Sequence, residues 1–251
     1  MPRLAVDIDP ELTFLLPRGR RRSPLEVDAG ATDTAGHIVQ SLGIPLTEVG
    51  ELRLDDRLIP RAEQRRAPIG SAALLAVHRR PRPQPHAGRF LLDVHLAALA
   101  RRMRLLGIDT AYEPDADDGR LADWAAREQR VLLTRDVALL SRAVVPDGAL
   151  LVHDDVADQL DDVLDRFAPA LAPWTRCLVC GEALGAVAAE DVASEVEPGT
   201  LRTYRDFARC TGCGRVYWRG AHSRRLEGIV EHARDRVRRS STAEGGGEAL
   251  G

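Results

Sequence analysis

The stretch RFLLDVHLAALARRMRLLGID, residues 89–109, opens with a short apolar run that ends in an acid and then changes period. RFLLD (89–93) has the length and content of a strand. In the residues that follow, Leu96, Leu99, Met103 and Leu106 recur at helical spacing, and Gly107 closes the helix. The alternation continues downstream. DTAYE (109–113), VLLT (131–134) and ALLVH (149–153) read as strands. Residues 118–129 read as a helix facing Leu121, Trp124 and Ala125 inward, 135–142 as a short helix, and 156–167 as an amphipathic one. Strands alternating with helices predict an α/β module with a parallel sheet and helices on both faces.

Upstream, RRPRPQPHAGR (79–89) is Pro- and Arg-rich and reads as a linker. Before it, RLAVDI (3–8) alternates apolar and polar residues, PRGRRRSP (17–24) is a turn signature, and LEVD (25–28) is a second strand. A helix is expected from about Asp33 to Leu42, capped by Gly43, and short strands at 51–55, 58–60 and 73–78. This order resembles the β-grasp of ubiquitin and its sulfur-carrier relatives. Sulfur carriers need a free terminal Gly-Gly, whereas here the last strand runs into the linker. A binding or solubilising module, open to a protein partner, is the expectation.

Downstream, Cys177-Leu-Val-Cys180 and Cys210-Thr-Gly-Cys213 are followed at once by Gly181 and Gly214. Two CxxC turns supply four thiolates, the tetrahedral set of a structural zinc site, with no position left for substrate. A redox pair or an iron–sulfur cluster are the alternatives. A small module of this kind needs the ion to fold. The expected domains are therefore 1–79, 88–170 and 171–238, with a helix from about Ser223 to Arg239 and a disordered tail to residue 251.

All 35 basic residues are Arg, against 38 acids, for a net charge of -3. Residues 81–170 hold 11 Arg against 16 acids, so no broad basic surface is on offer and any nucleic acid must be met by local Arg clusters. With no secretory signal and no apolar run long enough to span a bilayer, a cytoplasmic protein without membrane contact is expected.

Asp93, Asp136 and Asp154 each follow an expected parallel strand, at the sheet edge where α/β proteins bind ligands. Asp118 opens a helix and could face the same edge. Acids gathered there repel one another unless a cation neutralises them, and oxygen ligands suit Mg²⁺ or Mn²⁺. The bland reading is that each acid is a turn residue or an N-cap, and Asp117 competes with Asp118, and Asp155 with Asp154, for that role.

Residues 89–222 resemble the Mut-seven C-terminal ribonuclease family, a branch of PIN-like nucleases fused to a zinc ribbon. The matching stretches are 89–109, DDGRLADWA (117–125), VLLTRD (131–136), both CxxC pairs and YWRGAHSRRL (217–226). The resemblance implies a metal-dependent RNA phosphodiesterase with Asp93, Asp118 and Asp136 as Mg²⁺ or Mn²⁺ ligands and a fourth acid near Asp154 or Asp155. It also places Thr134 beside the site and Arg135 near phosphate. GAH (220–222) departs from the family, which more often has Ser before the His. Arg101, Arg102 and Arg104 on one helix, and Arg215, Arg219, Arg224 and Arg225 around Tyr217, Trp218 and His222, are candidate RNA contacts. Two rival readings remain at this point: a non-catalytic RNA- or ribosome-binding adaptor, and a protein-interaction scaffold.

Overall fold

A computed structural model describes residues 3–21, 23–220 and 223–242 of the chain. In chain order, the first elements are β1 (Arg3–Ile8), β2 (Leu25–Asp28), α1 (Ala35–Ser41), β3 (Val49–Leu54), β4 (Arg57–Ile59) and β5 (Leu74–Arg79). Next come β6 (Arg89–Leu92), α2 (Ala97–Leu105), β7 (Asp109–Tyr112), α3 (Asp118–Glu128), β8 (Val131–Thr134), α4 (Val137–Ser141), β9 (Gly148–Leu150) and α5 (Val156–Phe167). The last are β10 (Leu184–Val187), α6 (Pro198–Thr203), β11 (Phe207–Cys210), β12 (Val216–Trp218) and α7 (Ser223–Thr242). The chain divides into two compact units, Met1–Pro81 with Asp117–Leu150, and Arg82–Ala116 with Leu151–Gly251. The α/β stretch thus contributes to both.

In the first unit the N-terminal strands form a mixed sheet in the order β2-β1-β5-β3-β4, the ubiquitin-like arrangement. β1 runs antiparallel to β2 and parallel to β5, with Val6 opposite Leu75. Period-two alternation puts Leu4, Val6 and Ile8 on one face, where they join Ile38 and Val39 of α1 and its C-cap Leu42 in a single core. Thr34 caps α1, its hydroxyl accepting the His37 N–H at 3.2 Å. Gly36 lets α1 approach the 61–66 turn, since a Cβ there would lie 2.7 Å from the Arg65 Cα. Arg80, just past β5, is buried and ion-paired with Asp147, so the end of this strand is anchored rather than a free tail. The same unit holds the parallel pair β8–β9 with α3 and α4. β9 is shorter than expected and ends at Leu150, because β8 offers partners only from Leu132 to Thr134.

In the second unit β6 and β7 pair in parallel, Phe90 opposite Thr110. The helix after β6 starts as a 3-10 turn over Val94–Leu96, with the Asp93 carboxylate accepting the Val94 N–H, and becomes α-helical only at Ala97. Phe90 and Phe167 meet edge to face at 5.2 Å, joining β6 to α5. α7 docks on α5 through Arg236, which donates to Asp165 with both Nε and Nη2 and to Asp161 with Nη1. Burial raises the Asp165 pKa, but the bonds from Arg236 and its charge more than reverse this. α7 extends to Thr242, beyond Arg239, and Ser240 reaches Asp165 at 3.4 Å. Residues 243–251, most of the expected tail, lie outside the described residues. The cysteine-bearing part is a three-stranded sheet, β10-β11-β12, over a small core of Val192, Val196 and Phe207. No helix among the described residues is long and apolar enough to cross a membrane.

Gly107 ends α2 at φ 77°, and a Cβ there would fall 1.9 Å from the Ala172 carbonyl oxygen. Two backbone bonds, Ala172 N–H to Leu106 and Trp174 N–H to Leu105, fix that approach. Gly107→Ala is therefore expected to destabilise the protein by about 2–4 kcal/mol in urea unfolding, from left-handed strain plus the displaced segment.

Candidate functional site

The four cysteines form the one group of metal-capable side chains drawn together among the described residues, with all ligand atoms within 4.8 Å of one another. Each CxxC bends into a knuckle closed by a glycine. The Gly181 N–H bonds the Cys177 carbonyl at 2.9 Å and the Gly214 N–H bonds that of Cys210 at 3.1 Å. Both glycines have positive φ, 85° and 73°. The sulfurs of Cys177 and Cys213 lie 3.7 Å apart and those of Cys180 and Cys210 3.3 Å apart. Zinc–sulfur bonds of about 2.3 Å in a tetrahedron set sulfurs about 3.8 Å apart, so this set could hold zinc.

The electrostatics also ask for a cation. Burial raises the Cys177 thiol, but the Cys180 and Val179 N–H groups and the Tyr217 hydroxyl outweigh it and bring its pKa down to about 6. Cys180, desolvated and facing three other sulfurs, is pushed up to about 12. Four thiolates at this spacing are incompatible without a neutralising ion. The knuckle is held from outside by Arg104 of α2. This guanidinium is 2% exposed and donates to the Thr110 carbonyl at 3.0 Å and the Val179 carbonyl at 2.6 Å. Arg104 was expected among the RNA contacts; burial and these bonds remove it from phosphate, and its role is to join α2 and β7 to the first knuckle. Nothing in residue type marks it in advance, except that it falls one turn after the buried Ala100.

The acids stand as follows within their own units. Asp93 follows β6, is 6% exposed, and accepts the Val94 N–H at 2.6 Å. Asp154 is exposed and lies four residues past the end of β9; the cap of α5 is Asp155, which accepts from Ala157 at 2.6 Å. In the other unit, Asp117 caps α3 by accepting the Arg120 N–H at 2.9 Å. Asp118 is therefore not needed as the cap, and its carboxylate lies 3.5 Å from Arg142. Asp136 caps α4 through Oδ1 at 2.6 Å, and its own N–H donates to the hydroxyl of the fully buried Thr134 at 2.9 Å.

Arg101 and Arg135 are exposed and Arg102 is half-buried. Trp218 is 42% exposed and leans on Phe207. It borders a cleft of about 370 Å³ with Trp174, Arg176, Tyr217 and Arg219. The Arg219 guanidinium sits 5.2 Å over the Trp174 ring, a pairing not legible in the sequence. His222 lies outside the described residues.

The Mut7-C RNAse domain family matches residues 88–230, and the Mut7-C ubiquitin family matches residues 1–64. The chain belongs to the Mut7-C RNAse family. No curated protein and no solved structure matches it. The Mut7-C RNAse match contains every acid named above and both cysteine pairs, and the Mut7-C ubiquitin match covers the part of the mixed sheet that precedes β5.

Purified protein is expected to carry a single zinc ion by metal analysis and to show thiolate-to-cobalt charge-transfer bands on cobalt substitution, both lost in Cys210→Ser. Protons compete for the same sulfurs, so retention falls as pH drops.

Proposed function

We propose that this Mut7-C chain is a PIN-like, metal-dependent ribonuclease that hydrolyses RNA phosphodiester bonds. The observation that carries it is the match of the Mut7-C RNAse domain over residues 88–230, which spans Asp93, Asp118, Asp136 and Asp154. Asp93, Asp118 and Asp136 would hold Mg²⁺ or Mn²⁺, with the fourth acid at Asp154 or Asp155. A carboxylate donor set fits these hard ions. Such ions, when bound, lower the pKa of water and neutralise the leaving oxygen.

The chain's own residues orient that donor set. The Val94 N–H fixes one Asp93 oxygen, and α4 fixes Oδ1 of Asp136, leaving Oδ2 to turn toward a cation. Thr134 locks the backbone of Asp136 from beneath. Arg135 would meet the phosphate, and Arg101 and Arg102 the flanking strand. Trp218 supplies an exposed ring for a base to stack on. The cysteine set would carry zinc as a structural ion.

The test is cleavage of labelled single-stranded RNA with Mn²⁺ or with EDTA. Asp93→Asn and Asp136→Asn should each reduce cleavage at least about 100-fold, roughly 3 kcal/mol of lost transition-state stabilisation, with unchanged melting temperature. Undiminished cleavage in both variants would refute the acid assignment. Binding that survives EDTA with no scission in the parent protein would instead establish a non-catalytic adaptor.

A further inference from the structure

A second feature of the first unit lies away from these acids in sequence. The turn 61–66 carries Arg61, Arg65 and Arg66, which with Thr47, Val145 and Pro146 line an open pocket of about 630 Å³. No acid lines it among the described residues, and Glu63, the one carboxylate of the turn, is not part of its wall. Nearby, Asp147 serves two guanidinium groups at once, Arg80 and, at 3.7 Å, Arg61. Burial lowers the Arg61 pKa and the charge of Arg80 lowers it further, against the pull of Asp147. The pocket therefore holds a surplus of positive charge.

The turn is also built rather than loose. Gly36 packs on the Arg65 backbone, and the buried Gln64 amide donates to the Gly50 carbonyl at 3.0 Å. Arg61 gives one nitrogen to the Val49 carbonyl at 2.8 Å, and Arg65 one to Gln40 at 3.2 Å. Each guanidinium has five N–H donors, so both keep others for a ligand. Arg66 makes no side-chain hydrogen bond among the described residues. Thr47 is 5% exposed, and its hydroxyl has no hydrogen-bond partner there, the kind of buried donor that a ligand satisfies. A volume of about 630 Å³ exceeds what a lone ion needs and suits a nucleotide-sized ligand.

We propose that Arg61, Arg65, Arg66 and Thr47 form a phosphate-binding pocket that grips the backbone of a single-stranded RNA outside the acidic site. The inference rests on the ribonuclease reading for the identity of the strand. Arginine forks match phosphate oxygens, and backbone contacts hold a strand without choosing its sequence.

The experiment measures binding of a fluorescent 12-nucleotide RNA to the full-length, zinc-loaded Asp136→Asn protein without added Mg²⁺ or Mn²⁺, across a salt series. Arg65→Gln with Arg66→Gln should weaken binding at least about tenfold. The slope of log affinity against log salt should become shallower by about 1.4, two phosphate contacts at about 0.7 each. Arg18→Gln with Arg20→Gln, an exposed charge-matched pair in the same unit, should change binding less than twofold. If the pocket pair lowers the melting temperature, Arg66→Gln alone, which removes no scaffold bond, carries the same expectation with half the slope change.

Equal loss from both pairs, or loss from neither, overturns the pocket. Displacement of the strand by micromolar adenosine monophosphate also overturns it, in favour of a free-nucleotide site. Strand binding that ignores millimolar adenosine monophosphate while depending on the arginines supports it. The two readings fail separately. RNA cleavage that survives Asp136→Asn sinks the acid assignment and leaves the pocket standing. Cleavage lost in Asp136→Asn, with binding indifferent to the arginines, does the reverse.

Discussion

Four sulfurs within 4.8 Å of one another set the terms for much of the second unit. In water such a group would shed its charge by staying protonated, yet one thiol here is acidic and another strongly basic. That split follows from the crowding itself, since one ionised sulfur opposes ionisation of the next, and a bound cation would remove the opposition. The three-stranded sheet around it has a core of only a few side chains, too little apolar burial to hold a fold alone. Bonds around the first knuckle radiate into the rest of the unit. Arg104 ties the first knuckle to β7, Arg176 ties Gly181 to Gly107 and pairs with Asp109, and Tyr217 reaches Cys177 from β12. Because Arg104 is buried, removing it would leave several carbonyls without donors, which costs more than the mean value of the bonds it makes. The cysteine cluster and the α2–β7 corner are thus one structural problem.

The first unit solves a different one. Its ubiquitin-like sheet is anchored at its last strand, where Arg80 is buried against Asp147 and Glu48 accepts the Leu150 N–H at 2.6 Å. A sulfur carrier presents this end of the fold as a mobile tail. Here the same end is fixed by charge and by backbone bonds, so the carrier chemistry has no moving part to use. The 61–66 turn presents Arg61 and Arg66 to solvent and is held close to α1 by a missing Cβ.

The strands and helices were legible because hydrophobic period and punctuation agree along most of the chain, from RLAVDI to the helix over 156–167. The cysteine set was legible because CxxC followed by glycine constrains both chemistry and backbone. Other features were not. Asp117 and Asp118, or Asp154 and Asp155, are equivalent to a reader of sequence, and the cap goes to whichever residue holds extended φ and ψ where the helix begins. Arg104 reads as surface charge because one of its partners, the Val179 carbonyl, is 75 residues away in sequence. From sequence α7 is expected to end at about Arg239, but the last turn is held by Arg236 and Ser240 on Asp165, a contact no local pattern encodes. The division into compact units likewise cuts across the α/β stretch, since compactness depends on contacts and not on the order of elements.

Charge distribution connects these points to nucleic acid. A chain of net charge -3 has no long-range pull on a polyanion. At physiological salt a charge is felt over about 8 Å, so only cations within that distance of a phosphate matter. Buried or paired arginines such as Arg80, Arg104 and Arg236 are therefore irrelevant to RNA, however many the composition counts. The useful ones are those with open donors beside a concave surface. The acid-rich middle third makes this sharper, because a strand brought near those carboxylates is repelled by any acid not neutralised by a metal. A ribonuclease of the kind proposed would need cations held on a rigid frame, and the arginine turn at 61–66, fixed against α1 by the missing Cβ of Gly36, offers them.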